Sequence, residues 1–136
     1  MRTIETVTLD DARRVIAAGE KEAATQGQPV NIAVVDVGGI LVAHIRQDGA
    51  WLGSVDIAIN KAFSARAFDI STFDLGENSQ PGDQFYGIQD SNQGRVMAFG
   101  GGVPLMSGDS VVGAVGVSGG TGDQDRAVAA AAAAAL

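Results

Sequence analysis

A single histidine, His44, stands in a run that also carries Arg46 and Asp48, and these three with Lys61 are the side chains best suited to handle charge. In an extended backbone alternate residues share a face, so Val42, His44, Arg46 and Asp48 fall on one side, opposite Leu41, Ala43, Ile45 and Gln47. A neutral imidazole can ligate iron, which makes His44 the candidate metal ligand, or it can act as a general base. The planar fork of Arg46 suits a carboxylate, and Asp48 can serve as a base where burial raises its pKa. Lys61 adds positive charge toward an anionic ligand, or acts as a base when desolvated. Each has a plainer reading: His44 as a partly buried imidazole with a satisfied hydrogen bond, Arg46 and Asp48 as a mutual ion pair, Lys61 as a structural cation. Cysteine is absent, so disulfides, thiolate metal sites and cysteine nucleophiles are excluded.

Two glycine clusters form the second candidate group. Gly100, Gly101 and Gly102 precede one arm of a hairpin; Ser118, Gly119 and Gly120 follow the other and lead into an alanine-rich helix. Unpaired N–H groups at such a helix start favour an anion. No G-x-x-x-x-G-K-[ST] motif and no βαβ unit accompany them, so a phosphate cradle is too narrow a reading. The clusters fit better as the walls of a ligand pocket or subunit interface against which a hairpin and a helix pack closely. The run from Gly116 to Gly120 also matches G-x-S-x-G, but His44 precedes it and no later histidine completes a Ser, Asp, His order, so a nucleophile elbow is rejected.

The elements that must position these residues are readable from period and punctuation. Thr8 and Asp11 cap a helix that Gly27 ends and Pro29 forbids from continuing. Strands follow over Val30 to Val37 and Ile40 to Asp48, then a second helix from Trp51 to Phe68. Residues 69–93 are rich in Asn, Asp, Gln, Gly and Ser and predict a long connection with one or two short helical turns. A strand over Arg95 to Phe99, a hairpin with arms Val103 to Met106 and Val111 to Ser118, and a final helix capped by Thr121 and Gln124 complete the order. The pattern is α+β, a five-stranded and largely antiparallel sheet flanked by helices.

At 136 residues the chain is long enough to bury a core as a single domain, residues 1–136. Its formal charge of −7 and nine scattered Lys and Arg argue against a nucleic acid partner. The first residues lack an apolar leader, and no stretch approaches the ~18 apolar residues of a membrane span, so no membrane partner and a cytoplasmic location are expected.

The segments PVNIAVVDVGGILVAHIRQDGA, NKAFSARAF, GGGVPL and GAVGVSGGTGDQDRAVA together resemble the GlcG/HbpS family and, with it, the C-terminal domain of PduO-type corrinoid adenosyltransferases. The likeness spans nearly the whole chain and implies a profilin-like fold. It further implies a homo-oligomer, dimeric or larger, that binds a small-molecule ligand as an accessory to small-molecule catabolism. Some members bind or degrade haem, so haem is the implied cofactor. Residues that match the family pattern include Asp36, Gly39, Arg46, Asp48, Lys61, Gly101, Gly102, Pro104, Gly113, Gly116, Ser118, Gly119 and Asp125. The haem-binding relatives are expected to offer a histidine from a helix; the first helix here has none, and His44 lies on a strand. A cofactor-independent enzyme acting on a small carboxylate or hydroxy acid is the alternative, with Arg46 as clamp and Asp48 or His44 as base.

Overall fold

Thr8 starts α1 (Leu9–Gln26) with a reciprocal capping box, its hydroxyl accepting from Asp11 N and Asp11 accepting from Thr8 N, and Gly27 closes the helix in the left-handed conformation. Buried Ala12, Val15, Ile16, Gly19 and Ala23 form its inner stripe. The computed structural model describes all residues from Met1 to Leu136. After α1 come β1 (Asn31–Asp36), β2 (Leu41–Arg46), α2 (Gly53–Phe68), the short α3 (Thr72–Glu77), β3 (Gly102–Ser107), β4 (Ser110–Ser118) and α4 (Gly122–Ala133).

The strands make one antiparallel sheet in the order β2-β1-β4-β3. The architecture is α+β as expected, with four strands rather than five. The missing strand is Arg95 to Phe99. Val96 is buried there, but Met97 N donates to Ser64 Oγ on α2 and Arg95 O lies 3.4 Å from the same hydroxyl, so one side chain of α2 takes the place of a neighbouring strand. The connection before it contributes α3 and two 3-10 turns, Ile88–Asp90 and Asn92–Gly94.

Helices cover both faces of the sheet. On one, α1 and α4 bury Val15, Ile16 and Val128 against Ile32, Val34, Val115 and Val117, each such side chain contributing about 1.5–3 kcal/mol on removal from water. On the other, α2 packs against Val35 and Ala114 through Ala62 and Ala65. The layer is this thin because β4 carries Gly116: a Cβ there would collide with the Ala58 carbonyl and the Ala62 amide nitrogen.

Because α2 lies over β4, β1 and β3 and barely reaches β2, the α2-side face of this edge strand is left open. A bulge refines which residues stand there. Val34 pairs with Ala43 and Val35 with Leu41, so Val42 is the inserted residue and packs against the α1 and α4 layer. Leu41, not Val42, therefore shares a face with His44 and Arg46.

Candidate functional site

Two cross-strand rows order the open face. Arg46 pairs with Asn31 and Asn31 with Ser118; His44 pairs with Ala33, Ala33 with Gly116 and Gly116 with Gly102. Asn31 is fully buried and joins the rows. Its Nδ2 donates to the Trp51 carbonyl at 3.2 Å, and its Oδ1 lies 3.0 Å from His44 Nε2. A backbone carbonyl can only accept, which fixes the amide: Oδ1 faces the imidazole, Nε2 carries the proton, and Nδ1 keeps the free lone pair. The bond holds His44 half-buried in one tautomer. Burial, and then the positive charge of Arg46, lower its pKa below the usual histidine range, so the ring is neutral at neutral pH.

Around this imidazole the chain exposes apolar surface. Leu41 is on the same face of β2, and Trp51 and Leu52, tethered through the Asn31 bond, stand exposed at the start of α2. Ser54 and Ser118 are buried at this end of the interface between α2 and the sheet, at 3% and 4% exposure. Ser118 shares a row with Asn31, and Ser54 lies one turn before Ala58, which packs on Gly116.

The remaining predicted residues do not converge on His44. Asp48 lies past the end of β2, where the chain turns, and lines a shallow depression of about 230 Å³ with Ala23, Gly27 and Pro29 at the end of α1. It forms no ion pair with Arg46, which is exposed. The expected shared face fails because regular alternation stops at Arg46: Gln47 N donates to Val30 O, Val30 N donates to Gln47 Oε1, and the backbone then turns.

Lys61 is fully buried beneath the glycine clusters, so it faces no ligand. Its Nζ donates to Val117 O at 2.8 Å and to Asp125 Oδ2 at 3.2 Å, and it lies 4.7 Å from the Phe99 ring centroid. Desolvation depresses its pKa, partly offset by Asp125. The second Asp125 oxygen accepts from Gly120 N at 2.9 Å. Gly101 O accepts from Val117 N, and Gly102 N donates to Thr72 Oγ1. Gly101 and Gly102 thus pack on Lys61 and Gly120 holds Asp125, while Gly100 lies against Arg126 and Gly119 against Pro29 and Val30, so the clusters do not wall a pocket with Arg46. The anion site suggested by the α4 start is filled by the chain itself: Gln124 Oε1 accepts from Thr121 N and Asp125 accepts from Gly120 N. Sequence reading missed Asn31 and the pairing of Lys61 with Asp125. The signals were a polar residue inside an apolar strand and a lone lysine inside an alanine-rich helix face.

No cluster of three His, Cys, Asp or Glu side chains forms a cage for a bare metal ion. A porphyrin brings its own equatorial nitrogens and asks the protein for an axial group and an apolar face. His44 Nδ1, with Leu41, Trp51 and Leu52 nearby, fits that lesser demand.

Residues 7–134 match the family model described as haem degrading protein HbpS-like. An uncharacterized 15.0 kDa protein in the dhaT-dhaS intergenic region of Citrobacter freundii is 43% identical over 93% of this chain and 89% of its own. The corrinoid adenosyltransferase PduO of Salmonella typhimurium is 33% identical over 96% of this chain, which spans 39% of that longer protein. Among solved structures, the PduOC:heme complex superimposes with a TM-score of 0.92 at 33% identity, covering 96% of this chain and 95% of that one. No helix is long and apolar enough to cross a membrane.

Proposed function

The chain belongs to the HbpS-like family, and from that premise we propose that it binds haem on the open face of β2, where His44 Nδ1 would hold the iron. One observation carries the reading: the Asn31 hydrogen bond holds the imidazole as metal-ligating histidines are held, with one ring nitrogen donating to a fixed oxygen and the other free. Leu41, Trp51 and Leu52 supply apolar surface for the macrocycle, and Arg46 a cation for a carboxylate at its edge. Bound haem would supply redox-active iron with an exchangeable position; the chain's part is to orient one imidazole, keep it neutral and shield one side from water. The solved haem complex of a homologous domain supports haem as the ligand class.

We read the protein as a homo-oligomeric accessory of small-molecule catabolism, in which a second copy closes over the bound haem and the apolar rim around it. Cofactor-independent chemistry on a small carboxylate finds less support, because Arg46, Asp48 and Lys61 lie in three separate places.

The experiment is an equilibrium titration of the purified protein with hemin, followed in the Soret band. A saturable shift is expected, displaced and weakened in His44→Ala. Asn31→Leu should weaken it on the order of 10- to 100-fold, the usual cost of losing the group that orients a metal-bound histidine. An unsaturable spectrum, identical in all three proteins, would remove the proposal.

A further inference from the structure

On the far side of the Lys61 cluster from His44, a cleft of about 380 Å³ opens between α3, β3 and α4. Its volume lies near the lower end of the roughly 300–1,000 Å³ range of small-molecule sites. Phe73, Val103, Ala127 and Ala130 make it mainly apolar, and Gly101 and Gly102 form its floor. The floor's polar groups are already engaged, Gly101 O by Val117 N and Gly102 N by Thr72 Oγ1.

One cation serves the cleft. The Arg126 guanidinium carbon sits 3.6 Å from the Phe73 ring centroid. Its stem lies on Gly100, where a Cβ would come within 2.6 Å of Arg126 Cγ and 2.7 Å of Cδ. Head and stem are thus fixed from two sides, which lowers the ordering cost of using the fork. Yet no N–H of Arg126 makes a hydrogen bond within the chain; its one acidic neighbour, Asp123, is 3.8 Å away and 97% exposed. Ser71, also on the wall, accepts from Asp74 N to cap α3 and keeps its own O–H free to donate. Unengaged donors above an apolar floor describe a receptor for one carboxylate on an apolar body. Asp123 at the rim and the overall charge of −7 disfavour multiply charged anions.

We propose that this cleft binds a small monocarboxylate with a compact apolar body, held by Arg126 through its carboxylate and by Phe73, Val103 and Ala127 through its body. The site is separate from the haem face, and neither proposal depends on the other.

The test uses benzoate as the probe and the full chain, with amide and arginine side-chain NMR signals as the readout. Saturable shifts are expected at Gly101, Gly102, Ala127 and Arg126 Nε–H, unchanged in His44→Ala. Arg126→Met should weaken binding at least tenfold, Arg126→Lys should restore only part of it, and Asp123→Asn should tighten it. Benzamide, the same body without the charge, should bind at least tenfold more weakly to the unaltered protein, a comparison that needs no variant to fold. Equal affinity for benzoate and benzamide, shifts scattered outside the cleft, or displacement of benzoate by inorganic phosphate would overturn the proposal.

Discussion

Asn31 does for His44 what no neighbour in the chain does: it selects a tautomer. Its register, opposite both Arg46 and Ser118, brings three residues that are far apart in sequence into one row. Because burial and Arg46 lower the His44 pKa, the neutral imidazole should persist to a lower pH than in an ordinary histidine. Protonation of the ring is resisted by the fold, so the stability contribution of His44 is complete above the unfolded-state pKa and is lost as pH falls through the folded-state one. An NMR titration of the His44 ring should give a midpoint below the ordinary histidine value of 6.5, and Asn31→Leu should alter the nitrogen shifts that report the tautomer. A midpoint at or above that ordinary value would contradict a half-buried ring beside Arg46. Arg46 and His44 were legible as candidates because alternation in β2 is strict between them. Asp48 was not, because a tight turn and the Gln47 hydrogen bonds to Val30 end the alternation just before it.

Elements follow local signals closely wherever a local signal decides them. Thr8, Gly27 and Thr121 bound their helices as capping chemistry requires, and the turn after Ser107 joins its hairpin. Arg95 to Phe99 reads as a strand yet pairs with none, since its backbone bonds go to Ser64, a partner on α2 that no local pattern reveals. The bulge at Val42 is equally invisible in a run of apolar residues. The contact between α2, β4 and α4 is organised by Lys61 and Asp125, which are 0% and 4% exposed as side chains. Lys61→Met should destabilise the protein by about 3–5 kcal/mol, because it leaves Asp125 buried without its cation. Lys61→Met with Asp125→Asn should recover much of that loss, since the amide oxygen can still accept from Gly120. Urea unfolding of the three proteins measures both. A single variant as stable as the unaltered protein would show that the pair does not organise this contact.

Across the whole molecule, apolar surface is distributed unevenly. Ile40, Leu41, Trp51 and Leu52 are exposed around the open edge strand, with Trp51 and Leu52 at 64% and 76%, an arrangement that marks contact surfaces. Light scattering should therefore find more than one copy per particle, and Trp51→Glu with Leu52→Glu should shift the population toward monomer. A monodisperse monomer at high concentration would refute self-association through this face. The fold was legible at the level of class and order, while the ligand face depends on which strand α2 leaves bare, a property of packing rather than of any residue. Since the chain has one histidine, labelling all histidine with nitrogen-15 labels His44 alone. Electron–nuclear double resonance on the ferric haem complex of that protein tests axial ligation directly. A strong coupling from one imidazole nitrogen that changes with the isotope is expected; a haem complex whose spectrum is indifferent to the label would rule out His44 as the ligand.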